Sequence, residues 1–93
     1  MINELPWYNS RTDPDAMNPI EREMVRLICL DHTSAEMAGI LNLKFRTVER
    51  YRAVIAQKLD VHSPIALVRR AILRGLFSVD EWREEFQKEE KVV

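Results

Sequence analysis

The chain has 93 residues, 46% hydrophobic and 31% charged, with a formal net charge of −1 at pH 7, the balance of one small globular domain with a thin core. No apolar run approaches the roughly 20 residues of a membrane helix, and the first residues lack the basic-then-apolar layout of a signal peptide, so a cytoplasmic location with no membrane partner is expected. One cysteine, Cys29, and two scattered histidines exclude an internal disulfide and give no metal-ligand spacing, so neither metal nor cofactor is expected.

Residues 1–16 hold two prolines, the turn-like "DPD" and no helical or strand period, which reads as a linker or tether with Leu5, Trp7 and Tyr8 available to dock on the body. The first helix opens at "NPIE". Asn18 suits the N-cap, Pro19 the first helical position and Glu21 the reciprocal capping site, and Ile20, Met24, Leu27 and Ile28 mark its buried stripe. Cys29, within "VRLICL", is expected in the core, and the helix should stop near Asp31 and His32.

Thr33 with Glu36 forms a second capping box, followed by Met37, Ala38, Ile40 and Leu41 as the apolar face of a helix about two turns long. Asn42 marks a tight turn. A longer helix then runs from about Phe45 to Leu59, packing through Val48, Tyr51 or Arg52, Ile55 and Leu59. Ser63 and Pro64 open a fourth helix, with Gly75 as its stop. "SVDEW" repeats the start signal, with Ser78 as cap and Val79, Trp82 and Phe86 on one side of an acidic fifth helix. No segment shows the alternation of strands, so the fold class is all-α.

The near-neutral net charge conceals a strong asymmetry. Residues 44–74 carry eight basic groups against Glu49 and Asp60, whereas residues 1–32 and 75–93 each carry three basic against six acidic groups. A basic middle between acidic ends implies a local anionic partner. A short capped helix, a tight turn and a longer basic helix are the layout of a helix-turn-helix, whose second helix enters the DNA major groove. One face of that helix must pack while the other offers donors to bases and phosphates, and "KFRTVERYRAVIAQKL" has residues for both.

The residues from Met17 to Leu76 resemble the C-terminal DNA-binding domain of LuxR-type (NarL/GerE-like) regulators. "PIEREMVRLI", "SAEMAGIL", "RTVERYRAVIAQKLDV" and "ALVRRAILRGL" match that family's four helices in order. The resemblance implies a four-helix domain at 17–76; the tether at 1–16 and the additional C-terminal helix and tail at 77–93 lie outside it and rest on the residue pattern alone. The resemblance also implies a third helix that reads DNA, a homodimer through the fourth helix, and an output role in a two-component response regulator.

Carried over by position, Arg46, Glu49 and Arg50 match base-facing sites, with Ala53 one turn further on. Lys44, Thr47, Tyr51, Arg52 and Lys58 are candidate phosphate contacts, as are Thr33 and Ser34 at the start of the second helix. Four residues depart from the family pattern. Lys44 replaces a small capping residue, Glu49 stands where a cation is frequent, and Asp31 and Asp60 stand where glycine is common. The fourth helix has more apolar surface than one stripe needs; Val68 and Ile72 are the candidate dimer contacts, unless the fifth helix covers that surplus.

These features predict a sequence-specific DNA-binding transcriptional regulator, or its effector domain, with double-stranded DNA as partner and a receiver or sensor upstream. A protein-interaction module on a helix-turn-helix scaffold, using Trp82 and Phe86 or the basic face, is the alternative. With no glycine-rich phosphate loop, metal cluster or activated nucleophile in the sequence, an enzyme is not expected.

Overall fold

The computed structural model describes residues 17–92, and their side chains as far as Lys88; the expected tether at 1–16 lies outside the described residues. Five helices follow in order, with no strand among the described residues: α1 (Pro19–Cys29), α2 (Ser34–Leu41), α3 (Phe45–Leu59), α4 (Pro64–Leu73) and α5 (Val79–Val92). None is long and apolar enough to cross a membrane.

Local chemistry sets the starts. Asn18 and Thr33 each close the expected capping box: Asn18 Oδ1 accepts from the Glu21 amide at 2.8 Å, Thr33 Oγ1 from the Glu36 amide at 3.1 Å, and each glutamate returns a carboxylate oxygen to the cap amide. The backbone hydrogen bond to Thr33 also holds the Glu36 carboxyl below the usual range. Ser63 Oγ accepts from the Ala66 amide. Ser78 Oγ accepts from the Asp80 amide, but the carboxylate of Glu81 turns away from this cap to Arg26.

The stops of α1 to α4 share one device. Asp31, Asn42, Asp60 and Gly75 all have positive φ, between 55° and 74°. After α4, the Gly75 amide donates to the Ile72 carbonyl and the Leu76 amide to the Ala71 carbonyl, the paired reverse bonds of a Schellman motif. The same pair closes α3 through Asp60 and Val61, α2 through Asn42 and Leu43, and α1 through Asp31 and His32. Glycine accepts this conformation freely, whereas aspartate at two of the four stops does so against steric resistance.

One core unites the first four helices. Met24, Val25, Met37, Val48, Ile55, Leu59 and Ala71 are wholly enclosed, with Leu27, Ile28, Cys29, Val61, Leu67 and Phe77 nearly so. Burial pushes the Cys29 thiol up to about 11. Ile40 is more than half exposed and Ile20 also faces outward, so the sequence pattern assigned both to the core wrongly. On α2 the reason is length: in a helix of eight residues only one narrow stripe, around Met37, meets α3.

Among these apolar groups lies an ion pair. Lys58 Nζ donates to both carboxylate oxygens of Glu21 at 2.7 and 2.8 Å, with Lys58 3% and Glu21 2% exposed. Glu21 thus caps α1 and anchors α3 at once. Arg70 adds a second clamp on α3, its guanidinium donating to the Leu59 carbonyl at 2.9 Å and placing a cation at the negative end of the helix.

The fifth helix docks on α1 and does not cover the surplus apolar surface of α4. Trp82 Nε1 donates to the Cys29 carbonyl at 2.6 Å, Arg26 Nε donates to Glu81 Oε1 at 2.6 Å, and the Trp82 ring lies 5.1 Å from that of Phe77. The Glu81 hydrogen bond raises the Arg26 pKa against the opposing effect of burial. Phe86, one turn beyond Trp82, is 63% exposed.

Candidate nucleic-acid interface

α2 and α3 pack together across the Asn42–Lys44 turn, and the core fixes the rotation of α3. Val48, Ile55 and Leu59 are fully enclosed and Tyr51 packs half-buried beside them. The opposite face is then determined by helical geometry. Arg46, Glu49, Arg50 and Ala53 occupy positions i, i+3, i+4 and i+7, and all four are exposed. The residues expected to face bases therefore share one outward stripe.

The candidate phosphate contacts separate into groups. Lys44 is exposed beside the stripe, and Thr47, Tyr51 and Arg52 are half-buried along its margins. Among the described residues, Lys44, Arg46, Arg50 and Arg52 have no ion-pair partner. Lys44 holds the N-cap position of α3 without a side-chain cap, which leaves the first amides of that helix without such a partner.

Lys58 is a correction. The expectation of a phosphate contact fails because its ammonium is sealed in the core and both of its short bonds go to Glu21. A basic helix viewed as sequence does not reveal that one of its cations points inward. Ser34 donates its hydroxyl to a carboxylate oxygen of Glu49, which leaves its backbone amide at the start of α2 as the candidate phosphate donor. Thr33, exposed at the α2 N-cap, commits its oxygen and its amide to the capping box with Glu36.

Val68 and Ile72, the candidate dimer contacts, each keep part of their surface exposed on α4. Both are half-buried against the core, because they flank the α4 stripe formed by Leu67 and Ala71. The α4 residues that stand clear are Ile65 and Leu73, 76% and 77% exposed, with Arg69 midway between them on the same face.

Two exposed residues were missed by the sequence reading. Gln57 extends the stripe by four residues from Ala53, and His62 lies across an open groove formed with Ala53, Ala56, Asp60 and Val61. The i+4 step from Ala53 was the available signal for Gln57; the position of His62 depends on how the α3–α4 turn folds and had none.

With a short capped helix, a tight turn and an outward cationic stripe on the next helix established, comparison with known proteins is informative. A protein of Escherichia coli (strain K12), described as the uncharacterized response regulatory protein YgeK, is 41% identical over 59 residues, covering 63% of this chain and 40% of that protein. The chain thus spans less than half the length of this relative. No solved structure matches. Residues 17–71, which run from the first cap through the α2–α3 pair and into α4, match the bacterial regulatory proteins of the luxR family, and the chain belongs to that family.

Proposed function

We propose that this chain is the DNA-binding output module of a transcription regulator, with α3 lying in the major groove of double-stranded DNA. The observation that carries this reading is the division of α3 into a sealed face of Val48, Ile55 and Leu59 and an outward face of Arg46, Glu49, Arg50 and Ala53. Arg46 and Arg50 can donate to guanine O6 and N7, and Glu49 can accept from an exocyclic amino group. Lys44 and Arg52, with the Thr47 and Tyr51 hydroxyls and the Thr33 end of α2, contact phosphates and supply sequence-independent affinity.

One such module covers few base pairs, so specificity comes from two copies on paired half-sites. The exposed Ile65 and Leu73 make α4 the natural homodimer face, flanked by Val68 and Ile72. Control comes from a receiver or sensor domain, on the same polypeptide or another, as the response-regulatory description of the Escherichia coli relative suggests. The reading assigns the chain no catalytic role.

Fluorescence anisotropy with random and selection-enriched duplexes across a salt series tests the proposal. The expected result is binding whose logarithm falls with log salt by about 0.9 per phosphate neutralised, with Arg50→Ala flattening the preference for enriched sites. Failure of either pool to bind at low salt, with a protein partner still captured by the Arg46→Ala/Arg50→Ala variant, would instead establish the protein-interaction module.

A further inference from the structure

The outward stripe of α3 contains one residue of the wrong sign. Glu49 lies between Arg46 and Arg50 in sequence, exposed like both of them, where a carboxylate repels the phosphates those cations attract. A free glutamate there would also lose rotamer freedom in making any directed contact. The structure supplies a reason for its presence. Ser34, the first residue of α2, donates its hydroxyl to Glu49 Oε2 across the α2–α3 angle, so the carboxylate is oriented by a helix other than its own.

The second oxygen, Oε1, has no donor among the described residues. An ionised carboxylate oxygen only accepts, so this held atom suits an amino group on a base edge, cytosine N4 or adenine N6, and opposes the acceptor edge of guanine. The geometry points to Ser34 as a specificity-positioning residue: by holding Glu49 it makes the chain select an exocyclic amino donor at one base pair. This rests on the proposal that α3 reads the major groove. It assigns the Ser34 hydroxyl to base choice and not to a phosphate.

The test compares the unaltered chain with Ser34→Ala, Ser34→Thr, Glu49→Gln and the Ser34→Ala/Glu49→Gln double variant, on a selected duplex and its single-base-pair variants over a salt series. Circular dichroism checks that each variant remains folded. The expected result is a preference for an amino-bearing base at one position that Ser34→Ala narrows by about three- to tenfold, the scale of one hydrogen bond. The salt slope and the other positions stay unchanged, Ser34→Thr keeps the preference, and at that position the double variant matches Glu49→Gln alone.

An unchanged base preference in Ser34→Ala, while the unaltered chain remains selective, overturns the inference and leaves the major-groove reading intact. So does an equal loss on every duplex with a shallower salt slope, which identifies a phosphate contact. If Ser34→Ala does not fold, Glu49→Ala removes the acceptor instead, and retention of the amino preference by that variant overturns the inference. A parent chain that binds no duplex at low salt overturns the major-groove reading and the inference together.

Discussion

The ammonium of Lys58 lies 2.7 and 2.8 Å from the two carboxylate oxygens of Glu21, in a site from which water is almost wholly excluded. Glu21 belongs to the first turn of α1 and Lys58 to the last turn of α3, so one ion pair joins the start of the domain to the end of the helix proposed to read DNA. Removing one member of such a pair leaves an uncompensated buried charge, which costs about 3–5 kcal/mol. Lys58→Ala is therefore expected to unfold at far lower denaturant concentration, and Lys58→Ala/Glu21→Leu to recover much of the loss. Urea titration followed by circular dichroism checks this; a Lys58→Ala variant of unchanged stability but weaker DNA binding would restore the phosphate role.

Lys44 sets stability against binding. A lysine at an N-cap offers no acceptor to the helix amides and places its charge at the positive end of the dipole. Lys44→Ser is expected to stabilise the chain by about 1 kcal/mol while lowering affinity for every duplex to a similar degree and reducing the salt slope by about one phosphate. Thermal melts and anisotropy on the same preparation should therefore move in opposite directions.

The positive φ of Asp60 predicts a stabilising substitution away from the outward stripe. Asp60→Gly removes the crowding of Cβ in the left-handed conformation, offset partly by the greater freedom of glycine in the unfolded chain. The expected gain is about 0.5–1 kcal/mol, or a rise in Tm of several degrees for a domain of this size, with DNA selectivity unchanged. Asp31→Gly should behave similarly, whereas Gly75→Ala should lower Tm because φ there is +74°.

Cys29 predicts a direction for the alkaline limb of stability. Its thiol is raised to about 11 from 9.0 by burial, with Glu81 adding to the shift. As pH rises from about 9 toward 11 the unfolded thiol ionises before the native one, the unfolded state binds fewer protons, and native stability falls. Cys29→Ala or Cys29→Val should flatten that limb in pH-dependent urea melts. At pH 8 the native thiol should react with a disulfide reagent far more slowly than the urea-unfolded chain.

Local features carried much of this fold in the linear chain. Asn18–Glu21 and Thr33–Glu36 are capping boxes whose partners are three residues apart, and helical spacing alone separates Val48, Ile55 and Leu59 from Arg46, Glu49, Arg50 and Ala53. The positions of helices α1 to α4 and their order were readable because each depends on neighbours within a turn or two, and the family was readable from the resemblance of those four segments taken in order.

Tertiary structure decided what depends on distant partners. Lys58 and Glu21, 37 residues apart, meet only when α1 crosses α3, so the inward turn of one cation in a basic helix had no local signal. Ser34 reaches Glu49 only across the angle between two helices. Trp82 chose the Cys29 carbonyl on α1 over the apolar surplus of α4, leaving Ile65 and Leu73 exposed. Sequence spacing determines which residues share a face of one helix; which face is buried, and what an individual side chain then meets, is set by how the helices pack.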